Sequence, residues 1–245
     1  MSVGYASELF VSFQGEGAHV GERHLFVRMA ICNLRCRYCD TPDSLVRVSH
    51  VAIHQSGDAT VRVPNPITDV ELARHATSLL EREGPVDAVA ITGGEPLVQA
   101  EFVADFLRAA HFDVPVLLET NGMLPDRLQR VLPWVTIVSM DIKPPSNTGE
   151  PPFWDEHAEF LRLARDKDVY VKVLVDRGTS DADIARAADL VSTVGNTPLF
   201  LQPVMDQTGR PDIGGQQLAR FFALTRERHA RVRVLPQTHK ILGIA

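Results

Sequence analysis

The sequence predicts an α/β protein in which about six parallel strands form an incomplete (β/α) barrel. Short β-rich runs alternate with segments whose apolar residues follow helical spacing, which is typical of parallel strands with helices outside. Six runs are too few for a complete eight-stranded barrel, and a doubly wound open sheet is the alternative. The length of 245 residues suits one such unit, so we expect a single domain over residues 1–245.

Each strand and helix is predicted from its own pattern. The β-rich runs lie at 25–30, 88–92, 114–119, 135–142, 169–175 and 198–204. The helical segments lie at 68–83, 97–111, 124–132, 155–165, 180–193 and 214–229. Thr68 and Glu71 predict a capping box for the first helix, and Ser180 or Asp181 predicts an N-cap for the fifth. In both architectures, functional side chains gather at the carboxyl ends of the strands.

Residues 44–66 interrupt this alternation. The runs 46–48 and 60–63 are predicted to pair across a polar turn at 55–58. We therefore expect a small hairpin insertion after the loop that follows the first predicted strand.

Composition and charge exclude several classes of partner. The chain is 44% hydrophobic and 23% charged, with a formal net charge of −6, and its pI is about 5.8. Such a chain has no general attraction for nucleic acid or for an anionic membrane. No apolar run approaches the length of a membrane span, and the first residues lack the pattern of a signal peptide. A cytoplasmic protein without nucleic-acid or membrane partners is expected.

The three cysteines of the chain, Cys32, Cys36 and Cys39, fall within eight residues. Cysteines so closely spaced are typical of metal or cluster ligands. Three thiolates on a four-iron cluster leave one iron open to a cofactor or substrate. A zinc site is the alternative, with Asp40 or His54 as a fourth ligand. The cysteines follow the first predicted strand, so the cluster is expected at that strand's carboxyl end.

The spacing CxxxCxxC resembles the radical S-adenosylmethionine (SAM) superfamily. The resemblance implies a [4Fe–4S] cluster on the three cysteines, with SAM chelating the open iron and yielding a 5′-deoxyadenosyl radical. The segment Thr92-Gly93-Gly94-Glu95-Pro96, after the second predicted strand, resembles the GGEP motif of the superfamily. The residues of that motif contact the ammonium group of SAM.

Further segments, from residue 8 to the C-terminus, resemble the 7-carboxy-7-deazaguanine synthase family. They are Ser12–Gly17 (SxQGEG), Cys39-Asp40-Thr41, Glu119–Gly122 (ETNG), Asp141–Lys143, Gln202-Pro203 and Gln237–His239. Members of this family are lyases that convert 6-carboxy-5,6,7,8-tetrahydropterin to 7-carboxy-7-deazaguanine with loss of ammonia. The step belongs to queuosine-type 7-deazapurine biosynthesis. The implied fold is an abbreviated radical SAM barrel.

The resemblance assigns roles to individual residues. The residues that it implies for SAM are Gly94, Glu95, Glu119, Asp141, Ile142, Lys143 and Gln202. Those that it implies for the pterin are Phe13, Gln14, Gly15, Glu16, Arg28, Thr92 and His239. By the same resemblance Thr41 binds Mg²⁺, a cation that often takes few protein ligands. Lys172 is a charged residue in an apolar strand and needs a partner, either Asp141, Glu119 or bound substrate, or a structural ion pair.

The resemblance also implies partners. They are a flavodoxin or ferredoxin-type reductant and a second copy of the chain in a homodimer. The alternative functions are a radical SAM activase for a glycyl-radical enzyme, a zinc-stabilised binding module and an iron–sulfur carrier. A glycyl-radical activase would need neither the Gln14–Glu16 segment nor the Gln237–His239 segment.

Overall fold

The computed structural model describes residues 1–57, 59–206 and 208–244. The strands are β1 (Val3–Gly4), β2 (Ala6–Phe13), β3 (Arg23–Met29), β4 (His50–Gln55), β5 (Ala59–Pro64), β6 (Ile67–Thr68), β7 (Ala88–Gly93), β8 (Val116–Thr120), β9 (Ile137–Ile142), β10 (Asp168–Val175), β11 (Leu199–Pro203) and β12 (Val232–Val234). The helices are α1 (Asp69–Glu83), α2 (Ala100–Ala110), α3 (Pro125–Val131), α4 (Pro145–Thr148), α5 (Trp154–Ala164), α6 (Asp181–Ser192), α7 (Gly215–Arg226) and α8 (Thr238–Leu242).

One ten-stranded sheet carries the fold, in the order β12-β11-β10-β9-β8-β7-β3-β2-β4-β5. Along the sheet, the strands β3, β7, β8, β9, β10, β11 and β12 each pair in parallel with the next. Beyond β3, strand β2 runs antiparallel to it, and β4 and β5 form an antiparallel pair. The sheet does not close on itself, which confirms the predicted incomplete barrel.

The alternation of side chains along the strands separates two apolar layers. Most buried side chains pack between the sheet and its helices, as Val89 and Ile91 of β7 do. A smaller cluster fills the inner face and contains Phe10, Phe26, Ala90, Leu117, Ile137, Tyr170 and Phe200. Each inner strand therefore offers an apolar residue low in the barrel and polar residues nearer its carboxyl end.

Local sequence signals set several helix boundaries. The Thr68 hydroxyl accepts from the N–H of Glu71, whose carboxylate reaches back to Thr68, so the predicted capping box opens α1. Ser180 caps α6 by accepting from the N–H of Asp183. No helix in the described part of the chain is long and apolar enough to cross a membrane.

The hairpin insertion is confirmed, but its first strand was predicted at the wrong residues. Residues 46–48 are not a strand, and β4 begins at His50. Val51 and Ile53 occupy alternate positions of β4 and are buried in the main core, and this burial fixes the register in which β4 pairs with β5. Val46 is exposed and gives no such constraint. Asp58, part of the predicted turn, lies outside the described residues.

Two further strands of the main sheet escaped the sequence analysis. β2 precedes the first predicted strand and pairs with it in antiparallel register, from Ala6 opposite Met29 to Phe13 opposite Arg23. β12 is only three residues long and contains Arg233 between its two valines. The pairing of β2 with β3 brings the Gln14–Glu16 segment to the barrel interior.

Candidate active site

A cavity of about 360 Å³ opens at the carboxyl ends of the parallel strands. Its lining includes the three cysteines and nearly every residue to which the sequence analysis gave a role. Those residues are Phe13, Gln14, Gly15, Glu16, Arg28, Cys32, Cys36, Cys39, Thr41, Thr92, Gly94, Glu95, Glu119, Asp141, Lys143, Gln202 and His239. Ile142 is the exception, because its side chain packs in the core between sheet and helices.

The cysteines lie on the loop after β3 and are partly buried, with free thiols. Burial raises the pKa of the Cys32 and Cys36 thiols, so metal binding would have to displace their protons. His54, a zinc ligand in the alternative hypothesis, lies on β4 beside the ring of Phe10.

The turn after β7 brings backbone close to the cysteine loop. A Cβ on Gly94 would lie 2.4 Å from the carbonyl oxygen of Ile31 and 2.5 Å from that of Ser44. Only glycine fits between these two backbone atoms. The next residue, Glu95, is 1% exposed although it is a carboxylate.

Three donors hold the Glu95 carboxylate. Its Oε1 accepts from the N–H of Leu97 at 3.0 Å and from the hydroxyl of Thr120 at 2.8 Å, and its Oε2 accepts from the N–H of Asn121 at 2.8 Å. A carboxylate has about four acceptor positions, so one remains on Oε2. Burial raises the pKa of Glu95 to about 7 despite these hydrogen bonds.

Glu119, at the end of β8, contacts residues that were assigned to the pterin. Its Oε2 accepts from the Thr92 hydroxyl at 2.6 Å, and its Oε1 accepts from the side-chain amide of Gln14 at 3.0 Å. Gln14 also accepts from the N–H of Glu16 at 3.0 Å. Glu119 therefore fixes the pterin-assigned segment in the structure, although the resemblance had assigned it to SAM.

Lys172 lies on the inner face of β10 and is 2% exposed. Its Nζ donates to Oε2 of Glu16 and lies 3.1 Å from Oδ1 of Asp141. The other Asp141 oxygen accepts from Lys143 at 2.9 Å. Asp141 is thus one of the partners that the sequence analysis proposed, and Glu16 was not foreseen.

Charge pairing dominates the protonation states in this network. Burial alone would lower the pKa of Lys172, but the carboxylates of Asp141 and Glu16 outweigh it and hold that pKa well above its usual range. Burial alone would raise the pKa of Glu16, but the Lys172 ammonium holds it well below its usual range. Both side chains are therefore charged at neutral pH.

Arg28 already has a partner in the structure. Its Nε donates to Oε2 of Glu8 at 2.9 Å, and its guanidinium lies 5.3 Å from the centre of the Phe10 ring. The guanidinium retains further N–H donors and lines the cavity. A bound carboxylate would meet an arginine whose position is already fixed.

The C-terminal segment crosses the cavity mouth. The Gln237 amide donates to Oε1 of Glu16 at 2.7 Å and to Oδ2 of Asp40 at 3.2 Å. Lys240 Nζ lies 3.2 Å from the same Asp40 oxygen. Gly15 packs so closely on His239 that a Cβ there would lie 2.3 Å from Nδ1.

Gln237 and Lys240 are cavity residues to which the sequence analysis gave no role, and Asp40 was named there only as a candidate zinc ligand. Gln237 was quoted within a motif but received no role, and nothing in the local sequence separates Lys240 from a surface lysine. Among the described residues, Glu16, Asp40 and His239 form a group whose potential metal-ligating atoms lie within 4.8 Å of one another. Thr41 follows Asp40 in the sequence and also lines the cavity, and its hydroxyl lies 4.0 Å from the Cys39 sulfur.

The sequence of the chain is similar to those of known proteins. A sequence profile of the radical SAM superfamily matches residues 26–191. A 7-carboxy-7-deazaguanine synthase from Geobacter sulfurreducens is 36% identical over 244 residues, covering 96% of each chain. One from Methanopyrus kandleri is 35% identical over 241 residues, covering 96% of this chain and 92% of that protein.

A structural comparison supports the fold. The crystal structure of QueE from Escherichia coli matches 95% of this chain and 93% of its own, with a TM-score of 0.59 at 17% sequence identity. At that identity the likeness concerns the arrangement of strands and helices.

Proposed function

The chain belongs to the 7-carboxy-7-deazaguanine synthases of the radical SAM superfamily. On that premise we propose that the cavity at the carboxyl ends of its parallel strands binds an iron–sulfur cluster, SAM and a pterin side by side. The reaction is the conversion of 6-carboxy-5,6,7,8-tetrahydropterin to 7-carboxy-7-deazaguanine with loss of ammonia. One observation carries the assignment of the site. The three cysteines line the same cavity as polar residues at the ends of the parallel strands, from Arg28 of β3 to Gln202 of β11.

The cysteine loop fits a four-iron cluster. Cys32, Cys36 and Cys39 offer three free thiols on one loop that lines the cavity, and three thiolates on a four-iron cluster leave one iron open. When bound, the cluster and SAM supply the electron and the adenosyl radical that the side chains of this chain cannot provide. The protein's own part is to bind, to orient and to exclude water.

The SAM side of the cavity comprises the turn after β7 and the ends of β9 and β11. The missing side chain of Gly94 lets the turn after β7 pack against the backbone around the cysteine loop, and the free acceptor position of Glu95 suits an ammonium group. Asp141 and Lys143 form an ion pair at the end of β9, and Gln202 has a buried carbonyl oxygen without a hydrogen-bond partner. A buried orphan acceptor is costly unless a ligand satisfies it.

The pterin side comprises the Gln14–Glu16 segment, Arg28, Thr92 and His239. Glu119 orients Thr92 and Gln14 through two hydrogen bonds, and Lys172 holds Glu16. Arg28 provides the planar cation for a pterin carboxylate. Phe13 is 50% exposed at the edge of the cavity, where an aromatic ring would cover a bound ligand.

Mg²⁺ is proposed to bind at Thr41, beside the carboxylates of Asp40 and Glu16. Hard oxygen donors suit this cation, and it commonly retains water and substrate oxygens as further ligands. When bound, Mg²⁺ would neutralise the charge of a substrate carboxylate. The fit rests on the oxygen-rich character of the Glu16, Asp40 and His239 group.

Lys172 is assigned a fixed positive charge rather than a proton-transfer role. Its raised pKa keeps it protonated, and its two carboxylate partners come from the pterin-assigned and SAM-assigned loops. It would therefore keep these loops at a constant separation while the substrate reacts.

The remaining assignments follow the family. We propose a single radical SAM domain over residues 1–245, a flavodoxin or ferredoxin-type reductant, a homodimer and a cytoplasmic location. The acidic pI of about 5.8 supports a small-molecule enzyme over a nucleic-acid or membrane-surface protein.

The test is an anaerobic reconstitution with iron and sulfide, followed by incubation with dithionite, SAM, Mg²⁺ and 6-carboxy-5,6,7,8-tetrahydropterin. Mass spectrometry should detect 7-carboxy-7-deazaguanine only when SAM is present, and Cys32→Ala should lose both the iron and the product. Formation of 5′-deoxyadenosine without the deazaguanine would refute the proposed substrate but would agree with the assignment to the radical SAM superfamily. A colourless zinc protein would refute both.

A further inference from the structure

Asn121, in the loop after β8, contacts both halves of the proposed SAM site. Its side-chain amide donates to Oδ1 of Asn33 at 2.8 Å, and its backbone N–H donates to Oε2 of Glu95 at 2.8 Å. Asn33 immediately follows Cys32 in the cysteine loop. One residue therefore connects that loop to the carboxylate that is proposed to meet the SAM ammonium.

Asn121 is itself held by two further hydrogen bonds. Its Oδ1 accepts from the N–H of Met123 at 3.2 Å, and its carbonyl oxygen accepts from Nε2 of His157 at 2.9 Å. Burial lowers the pKa of His157 to about 4, so the ring is neutral at physiological pH and donates through Nε2. The backbone N–H, the carbonyl, the side-chain oxygen and the side-chain amide of Asn121 are all engaged.

The two asparagines differ in exposure. Asn121 is 5% exposed, whereas Asn33 lies at the surface of the cysteine loop. A buried, fully hydrogen-bonded residue has little freedom, so it can act as an anchor for an exposed partner. The anchored partner is the loop that carries all three cysteines.

We propose that Asn121 is a positioning residue that fixes the cysteine loop against Glu95. It would set the separation between the three cysteines and the Glu95 carboxylate, between which the methionine moiety of SAM is proposed to lie. The proposal rests on the proposed function, because the cluster ligands and the role of Glu95 belong to it.

The first measurement uses the metal-free protein and needs no turnover. Cys36 is the reporter, because Cys32 itself touches Asn33. We expect Asn121→Ala and Asn33→Ala each to raise the rate of Cys36 alkylation about 3- to 10-fold, the factor that corresponds to the loss of one hydrogen bond. The double variant should exceed neither single variant, since both remove the same contact.

A matched control removes a hydrogen bond of similar burial elsewhere. Thr225→Val deletes the hydroxyl that donates to the carbonyl of Phe221 at 2.8 Å on α7, and it should leave the Cys36 rate unchanged. Equal Cys36 rates in the wild type and in both single variants would overturn the proposal, and so would multiplicative effects in the double variant. If Asn121→Ala does not fold, the exposed Asn33→Ala still gives the deciding comparison.

The second measurement uses the reconstituted enzyme. Asn121→Ala should weaken SAM binding about tenfold and leave the KM for the pterin unchanged, because the contacts of Glu119 with Thr92 and Gln14 do not involve Asn121. Equal losses for both ligands would indicate a general structural defect and refute a positioning role. A wild-type protein that takes up no iron would refute the proposed function, whereas wild-type behaviour in the variants would refute this inference alone.

Discussion

The ammonium of Lys172 and the carboxylate of Glu16 form a buried ion pair between residues that are 156 positions apart in the sequence. The side chains are 3% and 16% exposed. Asp141 lies 3.1 Å from the same ammonium, so one cation serves two carboxylates. Removing the cation would leave Glu16 without its ion-pair partner and Asp141 with Lys143 as its remaining one.

Lys172→Met should therefore lower the free energy of unfolding by about 3–5 kcal/mol, the usual result of breaking a buried pair from one side. Methionine has nearly the length and the apolar stem of lysine, so the decrease in the free energy of unfolding reports the missing charge. Urea unfolding of the metal-free protein at pH 7 measures it.

Arg108→Ala is the matched control for Lys172→Met, because Arg108 pairs with Asp105 at the surface, where it is 61% exposed. Exposed pairs contribute about 0–1 kcal/mol, so this variant should unfold close to the wild type. A Lys172→Met protein as stable as Arg108→Ala would show that Glu16 and Asp141 are compensated by other groups.

Gly94→Ala should disrupt the turn after β7. The new Cβ would meet the carbonyl oxygens of Ile31 and Ser44, which are backbone atoms and cannot rotate away. We expect SAM binding to weaken by at least tenfold and the melting temperature to fall, since overpacking of this kind costs about 1–3 kcal/mol. Isothermal titration and thermal unfolding measure the two effects.

Gly215→Ala controls for the removal of a glycine. A Cβ at Gly215, the first residue of α7, would meet nothing within 4 Å, so this variant should bind SAM like the wild type. Normal SAM affinity in Gly94→Ala would mean that the turn does not face the ligand.

The strand-end motifs could be predicted because their chemistry is local in sequence. The cysteine spacing, the Gly94-Glu95 pair and the Glu119–Gly122 segment each lie within one loop, and parallel strands bring those loops to one edge. Ile142 shows the limit of reasoning by motif. Neighbouring residues on a strand face opposite sides, so Asp141 lines the cavity while Ile142 joins the core.

Long-range pairings could not be predicted in this way. The contact of Gln237 with Glu16 joins residues 221 positions apart, and the local sequence of Gln237 contains no sign of its partner. β2 was missed because no crossover helix links it to β3, to which it pairs in antiparallel register. The contact of Glu119 with Gln14 depends on that pairing, so the role of Glu119 emerged only with the fold.

SAM affinity should rise with pH between about 6 and 8. Burial raises the pKa of Glu95 from 4.5 to about 7, so the side chain is largely protonated at pH 6 and largely ionised at pH 8. Only the ionised form attracts an ammonium group strongly. Below pH 7 each unit should weaken binding by up to about tenfold, because one proton must leave Glu95. Equilibrium binding across this range tests it.

Glu95→Gln removes the titrating group and retains the size of the side chain. Its SAM affinity should be low and nearly constant from pH 6 to 8. His157, which contacts the same loop, has a pKa of about 4 and does not titrate in this window. A Glu95→Gln protein with the wild-type pH dependence would assign the titration to another group.

Thr41→Ala should raise the Mg²⁺ concentration needed for half-maximal rate by about tenfold, which corresponds to the loss of roughly 1.4 kcal/mol of binding. The reason is that a hydroxyl ligand would be lost from a site in which substrate and water supply most of the remaining oxygens. Thr41 lies 4.0 Å from the Cys39 sulfur, so iron content must be measured beside the Mg²⁺ titration. Thr41→Ser restores the hydroxyl and should restore the wild-type titration. An unchanged Mg²⁺ requirement in Thr41→Ala, at full iron content, would exclude Thr41 from the metal site and leave the carboxylates of Glu16 and Asp40 as the remaining candidates.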